Sequence, residues 1–139
     1  MNRTAKALGM HATRFANPHG MTVEGHLSTA ADLLLLAHAA RQLPRFRDYV
    51  NTRQRGCTVT GTSGYRRNVF WKNTNHLLAV EGYDGVKTGT TDAAGACLVA
   101  CGSREGRELL VVVLGSSNSD ARYVDSRNLF RWAWKQPAR

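Results

Sequence analysis

The sequence predicts an α+β fold, an antiparallel sheet flanked by helices, and three observations carry that expectation. An amphipathic helical pattern comes early, over residues 28–44. Two almost continuously apolar runs follow, at 96–102 and 109–115. A helical pattern with an aromatic face closes the chain, over residues 120–136. Strands joined by a short polar link, with helical patterns before and after, suit an antiparallel sheet better than a parallel one.

The elements follow in order. "MNRTAKALGM" reads as a short helix of good helix formers, and Gly9 can end it. "NPHGMTVEGH" (17–26) is a loop punctuated by Asn-Pro and glycine. In "STAADLLLLAHAARQLP", Thr29-x-x-Asp32 has the form of a capping box. Leu33, Leu36, Ala37 and Ala40 then recur at helical spacing, and Pro44 is expected to close the helix. "TVTGTSGY" (58–65) fits either a short strand and turn or a loop. "NHLLAVEGYDG" (75–85) reads as an apolar turn of chain followed by a tight turn at Asp84-Gly85.

The two apolar runs are joined by "SREGRE", which predicts a hairpin. Because both runs are apolar throughout, the hairpin should be covered on both faces. In the last helix Tyr123, Ser126, Phe130, Ala133 and Trp134 share one side, a face that needs the sheet to lie on.

At 139 residues the chain is long enough for one domain with a core. No apolar run approaches the roughly 20 residues needed to cross a bilayer, and the N-terminus lacks the apolar stretch of a secretory leader. Read literally, the chain is neither exported nor anchored. Nineteen basic against ten acidic residues give a net charge of +9, which favours anionic partners. The cations are scattered, however (Arg3, Arg41, Arg53, Arg66, Arg104, Arg131), as on a solvated surface. With no zinc-finger spacing or RNA-recognition strand, no nucleic-acid partner is expected.

Cys57, Cys97 and Cys101 make no disulfide framework. Cys97 and Cys101 would stand about 13 Å apart on a strand, so they read as small buried hydrophobes. His19 and His26 lack a third ligand nearby and read as loop and cap residues, so no metal is expected. No cofactor is implied. Trp71, Trp132 and Trp134 read as core or interface residues.

The chemically distinctive run is Lys87-Thr88-Gly89, followed by Thr90. On a strand, the lysine sets a positive charge beside a cleft and the threonine offers an adjustable hydrogen bond. The glycine leaves the edge bare for an extended substrate backbone. Lys-Thr-Gly is one of the three signatures of penicillin-binding proteins and class A β-lactamases. Three letters are weak alone, but around them stand "NTNHLL", "GYDGVKTG" and "TTDAAGACLVACGSREGRELLVVVLG". Further off are "MNRTAKALGM", "TRFANPHGM", "HLSTAADLLLLA" and "ARYVDSRNLFRWAW".

Through this ordered string the sequence resembles the serine-type D-alanyl-D-alanine carboxypeptidases of the penicillin-binding protein and serine β-lactamase superfamily. The resemblance implies a partial penicillin-binding fold, with residues 1–139 forming one partial domain, the C-terminal portion of the catalytic domain. It implies a reaction in which a serine attacks the last D-Ala-D-Ala bond of a peptidoglycan stem peptide. D-Alanine leaves, and water resolves the acyl-enzyme; β-lactams stall at the acyl stage. The family setting is the periplasm or cell envelope. Carried over by position, Lys87 would take part in the electrostatics of the serine, and Thr88 would bond the terminal carboxylate. Gly89 would leave the strand edge clear, and the Thr90 backbone N–H would be an oxyanion donor. Arg122 would hold the same carboxylate.

The nucleophile motif is not in the sequence. None of its serines is followed by lysine three positions on. Ser116-Ser117-Asn118 fits Ser-x-Asn but comes after the triplet, and Tyr49-Val50-Asn51 sits in an unrelated segment; both read as accidents. Met1 aligns with an internal methionine of relatives, so the chain is expected to be a piece of the catalytic domain, inactive alone. Sheet surface left uncovered would favour self-association. The alternative is a non-catalytic module that binds peptidoglycan peptides or a protein.

Overall fold

A computed structural model describes residues 1–137, and the predicted hairpin lies at its centre. Strands β3 (Tyr83–Thr91), β4 (Gly95–Arg104) and β5 (Arg107–Ser116) form an antiparallel sheet in that order, with β3 at an edge. The β4–β5 link is tight, since Glu105 and Gly106 both adopt positive φ (51° and 76°), as a two-residue hairpin loop demands.

Helix α4 (Ala121–Trp134) lies on one face of this sheet, as the aromatic stripe predicts. Leu98 and Ala100 of β4, Val111 and Val113 of β5, and Tyr123 and Phe130 of α4 form the buried core, with Leu77. Phe130 is fully buried, stacked on Trp134 at 5.1 Å and edge-on to Tyr83 at 5.2 Å. Burying a side chain of this size stabilises the fold by about 1.5–3 kcal/mol. Gly102 makes room for it: a Cβ there would come within 3.0 Å of the Phe130 ring. Burial also pushes the Tyr83 phenol above its ordinary pKa.

Helix α1 (Asn2–Ala7) precedes helix α2 (Ala30–Arg41), which packs on β5. Only half of the expected capping box forms. The Thr29 hydroxyl accepts from the Asp32 N–H (3.2 Å), but the Asp32 carboxylate turns away. It accepts instead from the Ala12 N–H (2.9 Å) and the Thr13 hydroxyl (2.6 Å), tying the turn of chain after α1 to the helix. At the other end Arg41, 4% exposed, bonds Asp84 of β3 (3.0 Å) and Glu108 of β5 (2.6 Å). Burial lowers the pKa of this guanidinium and the Glu108 and Asp84 bonds raise it; the net direction is up. Cys101 of β4 lies beside the same carboxylates. Burial, and then the neighbouring Asp84 carboxylate, hold its thiol well above the ordinary range. The two bonds of Arg41 pin α2 to β3 and β5.

Pro44 follows the end of α2 by three residues, as expected, and it also opens α3 (Pro44–Asn51), at a position where a missing N–H costs nothing. Two expectations need correction. The tight turn falls at Glu81-Gly82, and Asp84-Gly85 lies inside β3, where the register shifts. Trp71 and Trp132 are exposed, at 53% and 63%; of the three tryptophans, Trp134 alone packs against the core.

The Thr/Gly-rich segment forms a second, separate sheet, strands β1 (Gln54–Thr60) and β2 (Arg66–Lys72) paired antiparallel. Every residue of these strands except Val69 is exposed. From β2 the chain passes through Asn73 and Thr74 into a short 3-10 helix, His76–Ala79, and then β3.

Candidate functional site

The Lys-Thr-Gly run occupies the middle of β3, in register with Val99, Leu98 and Cys97 of β4. Its other edge pairs with no strand among the described residues. Side chains alternate along a strand, so Lys87, Gly89 and Thr91 share one face while Thr88 and Thr90 share the other, toward α4. Lys87 is exposed and its Nζ donates to the Thr88 carbonyl. On the same face the Thr91 hydroxyl meets that of Thr22 at 2.7 Å, which brings the 17–26 loop beside the strand.

Gly89 is exposed, its φ is not in the left-handed region, and a Cβ built there would meet no atom within 4 Å. Neither backbone conformation nor internal packing requires glycine. The space beside it is open.

On the α4 side, Arg122 is 6% exposed and reaches up to the strand. Its Nη1 donates to the Thr90 hydroxyl (3.0 Å) and the Gly89 carbonyl (3.3 Å), and its guanidinium lies 5.0 Å from the centre of the Tyr123 ring. Arg122 Nε has no partner among the described residues. Thr88 is buried, and its hydroxyl contacts that of Thr74 at 2.7 Å.

One phenol joins these two arms. The Tyr123 hydroxyl donates to the Thr74 carbonyl (2.9 Å) and accepts from the His76 N–H (3.2 Å) and Arg122 Nη2 (3.4 Å). The His76 ring stacks on Tyr123 at 5.1 Å. Asn75, 4% exposed, completes the support: its amide donates to the Gly85 carbonyl (3.0 Å) and its oxygen caps the Leu77 N–H (3.1 Å). All five predicted site residues thus lie in β3 or reach it. Sequence reasoning missed Tyr123 and Thr74. The signal for Tyr123 was a hydroxyl on an apolar helix face, which needs a partner when buried.

The other sequence features have local uses. Asn118 of Ser-Ser-Asn accepts from the Asp120 and Ala121 N–H groups at the start of α4, and Ser116 donates to Asp125 (2.7 Å). His19 and His26 accept N–H bonds from Met21 (3.2 Å) and Ala16 (3.1 Å) within or beside their loop. Asp84, Cys101 and Glu108 are close enough to share a cation, and the Arg41 guanidinium bonds both of the carboxylates.

A Lys-Thr-Gly edge strand in an antiparallel sheet, backed by a helix, is one part of the arrangement expected of the penicillin-binding class of proteins. Comparison narrows it. The model of the D-alanyl-D-alanine carboxypeptidase family matches residues 1–118, and the chain belongs to that family. It is 35% identical to the D-alanyl-D-alanine carboxypeptidase DacF of Bacillus subtilis over 98% of this chain and 34% of that protein. Identity is also 35% to the D-alanyl-D-alanine carboxypeptidase of Streptomyces strain K15, over 96% of this chain and 47% of that one. The solved Streptomyces K15 DD-transpeptidase superposes with a TM-score of 0.92 at 33% identity, covering 97% of this chain and 52% of that one. Penicillin-binding protein D2 of Listeria monocytogenes, solved with cefotaxime bound, gives 0.74 at 32% identity, over 94% of this chain and 51% of that one. The chain spans a third to a half of the length of these relatives.

Proposed function

We propose that this chain carries the substrate-carboxylate half of a serine-type D-alanyl-D-alanine carboxypeptidase site. The observation that carries the reading is Gly89, an exposed glycine on an unpaired strand edge that nothing inside the fold requires. An extended peptide ending in D-Ala-D-Ala lies along that edge. Its terminal carboxylate is held by Arg122, whose fork suits a carboxylate, and by the Thr88 and Thr90 hydroxyls. Thr90 accepts from Arg122 and keeps its own O–H to donate. The Thr90 backbone N–H is an oxyanion donor, and Lys87 adds a positive charge on the other face of the strand.

The sequence has no Ser-x-x-Lys, so these 139 residues bind without turning over; loss of a nucleophile costs many orders of magnitude in rate. Peptidoglycan peptide is the ligand, β-lactams its mimics, and the cell envelope the place of action. No helix among the described residues is long and apolar enough to cross a membrane. A non-catalytic binding module uses the same groups, and the two readings part only on a protein that also carries a Ser-x-x-Lys, where a penicillin adduct marks the enzyme.

Calorimetry with an N-acylated tripeptide ending in D-Ala-D-Ala, set against its C-terminal amide, tests the reading. The free acid binds at millimolar concentration or tighter and the amide does not. Equal binding of the two, or none, removes it.

A further inference from the structure

The β1–β2 ribbon has a face and an edge that the fold leaves uncovered. Side chains alternate along a strand, and directly opposed residues share a side. The register therefore sets Cys57, Val59, Val69 and Trp71 on one face, with Arg55 and Arg67 at opposite corners. Trp71 is 53% exposed and Val59 42%, and the Cys57 thiol is exposed and free. A two-stranded ribbon is marginal in water, whereas three or more strands with an apolar face are stable.

The outer edge of β1 is open as well. The Asn73 N–H donates to the Arg53 carbonyl (2.8 Å) and the Gly61 N–H to the Tyr65 carbonyl (2.8 Å). These two bonds fix the phase of the ladder between them, which runs without a register shift. Arg55, Cys57 and Val59 thus turn their N–H and C=O groups toward β2, while Gln54, Gly56, Thr58 and Thr60 turn theirs outward. No strand among the described residues receives them. Sheet edges are ordinarily guarded by proline, lysine, a bulge or a covering segment. β1 has no proline, lysine or bulge, and Arg55 is its one charged residue.

We infer that this edge is an interface for a second copy of the chain, paired β1 to β1 about a two-fold axis at Cys57. The inference does not rest on the function proposed above. Cys57 is the middle residue of the strand. Antiparallel pairing centred on it sets Gly56 opposite the partner's Thr58 and Gln54 opposite the partner's Thr60. Each such pair exchanges two hydrogen bonds, so every outward group of β1 is satisfied. Arg55 meets the partner's Val59, and no like charges stand directly opposed. The two apolar faces merge on one side of a four-stranded sheet. Two other edges fit a copy less well. β2 paired about Val69 would set Arg66 against the partner's Lys72, and β3 paired about its middle residue would set Lys87 against the partner's Lys87. β3 stays free for a peptide.

Cys57 reports the register. The phase of the ladder makes the two copies of it a non-hydrogen-bonded pair, with Cα atoms about 4.5 Å apart, inside the span of a disulfide. Oxidised glutathione serves as the oxidant. One Cys57 thiolate attacks its disulfide and releases a glutathione thiolate, and the thiolate of the partner's Cys57 then displaces the second glutathione.

The test has two arms. Under reducing conditions, light scattering of the wild-type chain over a wide concentration range shows a monomer–dimer equilibrium. Added salt shifts it toward dimer, because each ribbon carries Arg53, Arg55, Arg66, Arg67 and Lys72 and no carboxylate. Thr58→Pro removes one outward N–H and keeps every bond to β2; it stays monomeric with an unchanged circular dichroism spectrum. With oxidised glutathione, wild type gives a disulfide dimer linked through Cys57, read by peptide mass. It does so roughly tenfold faster or more than Cys57→Ser/Val59→Cys, whose thiols lie about 13 Å apart in this register.

A wild-type chain that remains monomeric at high concentration overturns the interface. Equal cross-linking from positions 57 and 59 does so too, since it would mark an accessible thiol without a register. A folded Thr58→Pro chain that still dimerises would place self-association on another surface. If the proline variant does not fold, the comparison of the two thiol positions decides alone.

Discussion

Gly89→Ala separates function from folding more sharply than any other single change. Glycine loses more backbone freedom on folding than alanine, so replacing it where the native conformation is compatible stabilises a protein by about 0.4–1 kcal/mol. Residue 89 meets that condition: its φ is not left-handed, and the new methyl touches nothing within 4 Å. For a domain of this size the gain raises Tm by roughly 1–3 °C. The same methyl stands in the space that a ligand backbone must enter to pair with β3. Binding of the D-Ala-D-Ala peptide should weaken by at least tenfold, about 1.4 kcal/mol.

The control is Gly102→Ala in the neighbouring strand, whose Cβ would stand 3.0 Å from the Phe130 ring. Overpacking there costs roughly 1–3 kcal/mol and leaves the edge of β3 untouched. Scanning calorimetry gives the stabilities and titration calorimetry the affinities. A Gly89→Ala protein that is less stable than wild type, or equally stable and binding normally, refutes the reasoning. In the first case the glycine would be there for the fold, and in the second for neither fold nor ligand.

Two other outcomes follow from the structure. Tyr123→Phe leaves the His76 N–H and Arg122 Nη2 without their shared acceptor. It should cost about 1–3 kcal/mol in urea unfolding and narrow the preference for free acid over amide; an unchanged preference would mean that the phenol does not orient Arg122. Alkylation of the native protein should label exposed Cys57 within minutes and spare buried Cys101, read by peptide mass. The folded state holds the Cys101 proton more tightly than the unfolded chain does. Its contribution to stability is therefore complete below the ordinary thiol pKa of 9.0 and declines as pH rises past it. Cys101→Ala should flatten that alkaline decline, and an unaltered slope would assign it to other groups.

How much of this was legible depended on burial. The β4–β5 hairpin, α2 and α4 could be read from the sequence because each buries a face, so apolar spacing reports its period. β2 could not. "RRNVFWK" is exposed on both faces, so no alternation of apolar and polar residues survives to mark a strand. α3 was hidden by Pro44, which signals the end of one helix or the first residue of another with equal force. In the site, the Lys-Thr-Gly run and Arg122 stand out by residue type and by the blocks around them. The Tyr123–Thr74 bond spans 49 residues, and Arg41 reaches its carboxylates across 43 and 67. Contacts between such distant residues come from the folded chain alone. Thr88 shows the limit within a motif. Its letter is as expected, yet only the structure reveals that its hydroxyl is already engaged with Thr74.

The central claim, that β3 is a peptide-carboxylate edge, is tested most directly by residue-resolved NMR of the chain titrated with a D-Ala-D-Ala peptide. The account predicts saturable shifts at Gly89, Thr90 and the Arg122 guanidinium, with Leu98 and Val113 in the core unmoved and no response to the peptide amide. No shift at Gly89 or Arg122 at millimolar free acid, or equal shifts with the amide, would contradict it.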